Sequence, residues 1–121
     1  MIKEYVVITP YESENTDPIK IKKGDTVQLG EKSNDNGPWP NWIYCISNRT
    51  GKEGWTPVQV FQIEHGTGVV TTDYDAKEMT VAVGDTLYGD IELNGWIWCE
   101  RKADKEVGWV PKNCVKIKRE R

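Results

Sequence analysis

Three short blocks of this sequence occur twice, in the same order. They are KGDTV at 23–27 with VGDTL at 83–87, WIYC at 42–45 with WIWC at 96–99, and GWTP at 54–57 with GWVP at 108–111. The last two pairs share one offset of 54 residues, from 42 to 96 and from 54 to 108. A chain of 121 residues would by length be one domain. The repeat predicts instead two units, each of about 60 residues.

The segments around these blocks are typical of short β-strands. Apolar runs rich in Val, Ile, Thr, Tyr and Trp alternate with turn residues. The expected strands cover residues 4–9, 26–31, 42–48, 53–57 and 60–63, and then 68–73, 86–91, 96–101, 107–110 and 114–117. We therefore predict an all-β fold of two five-stranded units. Their expected boundaries are residues 1–63 and 68–121, with a short linker at 64–67 and a basic C-terminal tail.

Strand alternation predicts which side chains face the core. In the 42–45 strand, Ile43 and Cys45 share one face, and Trp42 and Tyr44 share the other. The 96–99 strand repeats this pattern. Aliphatic and small side chains suit the inner face better than large rings, so we expect the aromatic side chains on the outer face.

Charge and residue content exclude several classes of function. Residues 1–63 carry 7 basic against 8 acidic side chains, and residues 64–121 carry 9 against 11. Neither half has the basic excess that nucleic-acid binding requires, so nucleic acid is an unlikely partner. The three cysteines match no metal motif and the single histidine has no catalytic partner set. We expect no enzyme activity, metal or cofactor.

Hydropathy predicts a soluble protein of a reducing, cytoplasmic compartment. The first residues lack an apolar segment of signal-peptide length. No run approaches the roughly 20 apolar residues that a membrane helix needs. We therefore expect no membrane partner.

Four motifs, in order, resemble the Src-homology 3 (SH3) domain. In the second half they are VTTDY at 70–74, EMTVAVGD at 78–85, NGWIWC at 94–99 and GWVPKNCV at 108–115. The first half is similar, with VITPY at 7–11, IKIKKGD at 19–25, WI at 42–43 and GWTP at 54–57. The resemblance implies two tandem five-stranded SH3-like barrels.

The resemblance also implies a peptide groove in each half. The groove residues it carries over are Tyr11, Trp42, Trp55 and Pro57 in the first half, and Tyr74, Trp96, Trp109 and Pro111 in the second. The residues of the acidic specificity loop are Glu12, Glu14 and Asp17 in the first half, and Asp75 and Glu78 in the second. Other groove aromatics of the family are replaced by Thr9, Thr72, Val60 and Cys114.

The expected function is protein–protein interaction. The resemblance implies a ligand that is a short extended peptide, which can include proline and a basic residue. Two alternatives remain open. One is a structural or regulatory assembly subunit with vestigial grooves, and the other is a nucleic-acid-binding SH3-like barrel, because fold alone does not fix function.

Overall fold

A computed structural model describes residues 2–14, 16–37 and 39–118. It divides the chain into two compact units. The split unit combines residues 1–16 with 77–121, and the continuous unit comprises residues 17–76. In sequence, the continuous unit is therefore an insertion between two parts of the split unit.

Strands make up about half of the described chain, and turns and irregular loops connect them. The strands are β1 (Lys3–Val7), β2 (Lys20–Ile21), β3 (Thr26–Lys32), β4 (Trp42–Ser47), β5 (Glu53–Pro57), β6 (Phe61–Glu64), β7 (Thr67–Val70), β8 (Tyr74–Asp75), β9 (Thr86–Leu93), β10 (Trp96–Arg101), β11 (Val107–Pro111) and β12 (Val115–Ile117). Two 3-10 turns, Val58–Val60 and Lys112–Cys114, precede β6 and β12. The predicted all-β class is confirmed.

Each unit is organised around one five-stranded antiparallel sheet. The order is β11-β10-β9-β1-β12 in the split unit and β5-β4-β3-β7-β6 in the continuous unit, which also contains the short pair β2-β8. The two five-stranded sheets were predicted from the sequence. Within the described ranges, the end strands of each sheet do not pair with each other, so hydrogen bonding does not close either sheet into the expected barrel.

The structure divides the chain differently from the expected boundaries at 63 and 68. The predicted linker is the turn of a β-hairpin, in which Glu64 pairs with Thr67. His65 and Gly66 between them both have positive φ, of 47° and 79°. Two such residues form the tight turn that matches the twist of paired strands. Residues 64–67 are therefore a turn between paired strands and not the expected linker between units.

The first strand of each repeat belongs to the sheet formed mainly by the other repeat. β7, at the start of the second repeat, lies between β3 and β6 of the first repeat. β1, at the start of the first repeat, lies between β9 and β12 of the second. We call this arrangement the first-strand exchange. Each unit consists mainly of one repeat and takes its first strand from the other.

The inner faces follow the predicted alternation. Ile43, Cys45, Ile97 and Cys99 are all buried. The core of the split unit comprises Tyr5, Val7, Met79, Val81, Leu87, Ile97, Cys99, Val110, Cys114 and Val115. The buried apolar residues of the continuous unit include Ile19, Ile21, Val27, Ile43, Cys45, Val60, Phe61 and Val70.

We expect all three cysteines to resist alkylation in the native protein. They are free and buried, and burial raises the pKa of Cys45 and Cys114 and raises the pKa of Cys99 to about 12. The thiolate is the reactive form, so a raised pKa slows the reaction at neutral pH. Alkylation followed by mass spectrometry, with and without denaturant, measures this. A cysteine that reacts in the native protein as fast as in denaturant would contradict it.

Candidate functional site

An aromatic cluster lies at the junction of β10 and β11 in the split unit. Trp96 begins β10 and Pro111 ends β11, and the two residues pair across the strands. The ring of Tyr11 packs edge-on against Trp96, with ring centroids 5.6 Å apart and planes at 85°. We call Tyr11, Trp96, Pro111 and Glu78 the split-unit groove.

Hydrogen bonds hold both the main chain and the phenol group of Tyr11 in place. Its main chain forms an isolated bridge with Val81, with N–H···O distances of 3.0 and 2.8 Å. Its phenol donates a hydrogen bond of 2.5 Å to Glu78 Oε1. Burial and this hydrogen bond, with a smaller contribution from Glu14, raise the pKa of Tyr11 well above its usual value. The phenol therefore remains a protonated donor across the physiological pH range.

The continuous unit presents an equivalent pair, Trp42 and Pro57, at the junction of β4 and β5. The main chain of Trp42 is tied to Ser33: its N–H donates to Ser33 Oγ at 3.0 Å, and its carbonyl accepts from Ser33 N at 2.8 Å. Its indole Nε1 is buried and has no hydrogen-bond partner in the part of the chain that the structure describes. A buried donor without an acceptor costs about 1–3 kcal/mol. The indole N–H of Trp42 is thus an unsatisfied buried donor among the described residues.

The second groove tryptophan differs between the units. Trp55 packs edge-on against Tyr44 at 5.6 Å and remains 43% exposed, whereas Trp109 packs against Trp98 at 5.4 Å and is only 8% exposed. Residues 77–79 run alongside Trp109, which donates to Lys77 O at 2.9 Å and accepts from Met79 N at 3.0 Å. Trp109 therefore acts mainly as a packing residue that holds this segment.

Residues 77–79 also link Trp109 to the split-unit groove. Glu78 forms a parallel bridge with Trp109 and accepts the Tyr11 hydrogen bond. Gly108 makes this close approach feasible, because a Cβ there would lie 2.9 Å from Met79 N and 3.0 Å from Glu78 C. In the continuous unit, a Cβ at Gly54 would meet only Ile19 Cγ2, at 3.6 Å.

The structure regroups the predicted site residues, because the first-strand exchange carries each tyrosine into the other unit. Tyr11 lies with Trp96, Trp109 and Pro111, whereas the buried Tyr74 belongs to the unit of Trp42, Trp55 and Pro57. The sets expected from the sequence placed each tyrosine with its own repeat. The predicted proline positions, Pro57 and Pro111, are both buried.

The acidic residues regroup in the same way. The split unit contains Glu12, Glu14 and Glu78, of which the first two are exposed and the third is half-buried. The continuous unit contains Asp17 and Asp75, which the sequence analysis had assigned to different halves. Asp17 forms an ion pair of 2.7 Å with Lys52. The acidic side of the split-unit groove therefore comes from both repeats.

Sequence reasoning did not identify the contacts that Lys32, Asp35 and Asn41 make ahead of Trp42. The main-chain N–H of Asn41 donates to Asp35 Oδ1 at 3.0 Å, and Lys32 forms an ion pair of 3.2 Å with Asp35. The Asn41 bond, and then Lys32, lower the pKa of Asp35. The same stretch also carries the exposed Trp39. A tryptophan between two prolines in GPWP was the sequence signal.

Comparisons with known proteins agree with the two-unit organisation of the sequence. The family model described as "Variant SH3 domain" matches residues 5–64 and again residues 67–118. Searches of curated proteins and of solved structures gave no significant match. None of the helices in the described ranges is long and apolar enough to cross a membrane. Among the same residues, no group of three or more His, Cys, Asp or Glu side chains could hold a metal ion.

Proposed function

Because the chain belongs to the variant SH3 domain family, we propose that it binds a short extended peptide through aromatic grooves. SH3 domains are generally non-catalytic protein-interaction modules. The observation that carries the peptide proposal is the split-unit groove, where Tyr11, Trp96 and Pro111 lie together beside the Glu78 carboxylate.

The chemistry of this groove suits an extended ligand. A polyproline-II segment is already extended before it binds, so little conformational entropy is lost, and its flat rings pack well on aromatic side chains. Glu12 and Glu14 are exposed and Glu78 is half-buried. These carboxylates favour a peptide that carries a lysine or arginine, since opposite charges steer association and select partners.

The continuous unit supports the same proposal through an equivalent Trp–Pro pair. Trp42 and Pro57 pair across β4 and β5 as Trp96 and Pro111 pair across β10 and β11. Of the acidic residues that the resemblance assigns to a specificity loop, Asp17 and Asp75 lie in this unit.

Alanine substitution of the groove tryptophans tests the proposal. We expect Trp96→Ala to weaken binding of a proline- and arginine-containing peptide by about tenfold or more, as buried interface tryptophans usually do. Trp42→Ala reports separately on the continuous unit. Isothermal titration calorimetry against such peptides, identified from a peptide array, measures both effects.

Ile91→Ala is the matched control, because it removes an exposed apolar side chain from the same sheet as Trp96 and should leave affinity unchanged. Circular dichroism checks that each variant folds. Unchanged affinity in both tryptophan variants, with the fold intact, would refute the groove assignment. Binding of a DNA or RNA oligonucleotide in place of peptide would support the nucleic-acid alternative instead.

A further inference from the structure

At three pairs of equivalent positions around the exchanged strands, one unit has a large side chain and the other unit has a smaller one. The pairs are Tyr5 and Gly68, Leu29 and Gly89, and Phe61 and Val115. The register establishes the first equivalence, because Tyr5 pairs with Leu87 and Ile117 while Gly68 pairs with Val27 and Ile63. Each unit contains one member of each pair.

In the continuous unit, the exchanged strand contributes the small residue. A Cβ at Gly68 would lie 3.0 Å from Val27 Cγ2 and 3.3 Å from both Leu29 Cδ2 and Phe61 Cδ1. The side chains of Leu29 and Phe61 therefore occupy the space that a larger residue at position 68 would need. A strand with a larger residue at this position would force the side chains of Val27, Leu29 and Phe61 to move.

In the split unit, the exchanged strand contributes the large residue. The ring of Tyr5 is buried in the core cluster that includes Val115 and Cys99. Tyr5 pairs with Leu87 of β9, and Gly89 lies two residues further along the same face of that strand, opposite Lys3. A Cβ at Gly89 would lie 2.8 Å from Trp98 O, 2.9 Å from Ile97 Cγ2 and 3.2 Å from Cys99 Sγ. At the positions equivalent to Leu29 and Phe61, the strands around Tyr5 thus carry the smaller residues Gly89 and Val115.

We infer that these size differences select the first-strand exchange, and that the site between β9 and β12 is a specific binding site for the N-terminal segment of this chain. If the first repeat closed on itself, Tyr5 would occupy the position of Gly68, against Leu29 and Phe61. That core would be overfilled, and forcing extra volume into a packed core is destabilising.

Self-closure of the second repeat has the opposite defect. Gly68 would occupy the position of Tyr5, beside Gly89 and Val115, and would leave a space the size of an aromatic ring. Cavities of that kind remove both apolar burial and packing contacts. The exchange avoids both defects, so the two repeats depend on each other for their cores.

The exchange also makes the split-unit groove composite. The N-terminal segment that contributes Tyr5 continues to Tyr11, which packs on Trp96 of the second repeat. The inference about strand exchange holds whether or not the groove binds a peptide.

Disulfide trapping in the full chain tests the inference. Val6 pairs with Lys116 in the split unit, and Gln62 is the residue equivalent to Lys116 in the first repeat. Directly opposed residues in antiparallel strands have Cα atoms about 4.5–5.5 Å apart, which a disulfide can bridge. We expect Val6→Cys with Lys116→Cys to form an intramolecular cross-link under mild oxidation. The matched variant, Val6→Cys with Gln62→Cys, should not.

Peptide mapping by mass spectrometry identifies the bond, and gel filtration separates monomers from dimers. A cross-link between positions 6 and 62 would overturn the inference. A bond between positions 6 and 116 that forms only between different copies would overturn the inference that the exchange takes place within one chain. A bond between positions 6 and 116 within one chain would support both.

A double-mutant comparison tests the size argument without new cysteines. We expect Gly68→Ala to lower the melting temperature and Phe61→Leu to offset part of that loss, because the two positions touch. Tyr5→Leu and Phe61→Leu should be additive, because they lie in different units. Coupling of Phe61 to Tyr5, with none to Gly68, would overturn the inference.

Discussion

A fragment of residues 17–76 is expected to fold by itself, whereas a fragment of residues 5–64 is not. The first fragment contains the complete five-stranded sheet of the continuous unit and its β2-β8 pair. The second corresponds to the first family match but lacks β7, which lies between β3 and β6. The remaining first strand of this fragment could take that place only by putting Tyr5 against Leu29 and Phe61. Without a strand there, the main-chain groups of both neighbouring strands are unpaired, and buried unpaired groups are strongly unfavourable.

Two measurements compare the fragments. We expect dispersed amide resonances and one cooperative thermal transition for residues 17–76, and neither for residues 5–64. Many domains of about 55–65 residues fold alone, so size does not prevent this. The fragment 17–76 with Gly68→Leu serves as control. It should lose the thermal transition, because a leucine side chain at position 68 would collide with Val27, Leu29 and Phe61. A monomeric, cooperatively folded 5–64 fragment would contradict the exchange.

Substitution of alanine for Gly108 should destabilise the protein much more than the same change at Gly54. The added Cβ at position 108 would meet the main chain of residues 78 and 79 at 2.9–3.0 Å, and main chain moves aside only at a cost. We expect a loss of about 1–3 kcal/mol, typical of overpacking. At Gly54 the only contact is an ordinary one of 3.6 Å. Alanine there should be neutral, or stabilising by about 0.4–1 kcal/mol through the unfolded state.

Denaturant unfolding measures both changes, and cysteine alkylation shows which unit opens. Cys99 and Cys114 report on the split unit and Cys45 on the continuous unit. Gly108→Ala should accelerate alkylation of the first two and leave Cys45 protected. It should also weaken peptide binding, because residues 77–79 position Glu78 beside Tyr11. Equal destabilisation by the two glycine substitutions would contradict the close packing of residues 78 and 79 against Gly108.

Much of the local structure was available from the sequence. Strand alternation is a period of two along the chain, so WIYC and WIWC were enough to place Ile43 and Cys45 inside and Trp42 outside the core. The 13-residue spacing from Trp42 to Trp55, repeated from Trp96 to Trp109, predicted two equivalent pairs of strands. Residues that are close together in the sequence determine both features.

Burial of the aromatic residues could not be predicted in the same way. Trp55 and Trp109 occupy equivalent positions, yet Trp109 is buried and Trp55 is exposed. The difference depends on the approach of residues 77–79 to Gly108, which is a contact between distant parts of the chain. Repetition in sequence therefore predicted equivalent positions and did not predict equivalent surroundings.

The sequence by itself determined that this chain forms two five-stranded antiparallel units with a tryptophan and a proline at the junction of two strands in each. Only the tertiary structure decided which first strand completes which sheet. Both first strands carry a valine at the matching core position, Val7 and Val70, so alternation and pairing rules accept either one. The choice depends on the space around Gly68 and Tyr5, and that space exists only once strands from both repeats are packed together.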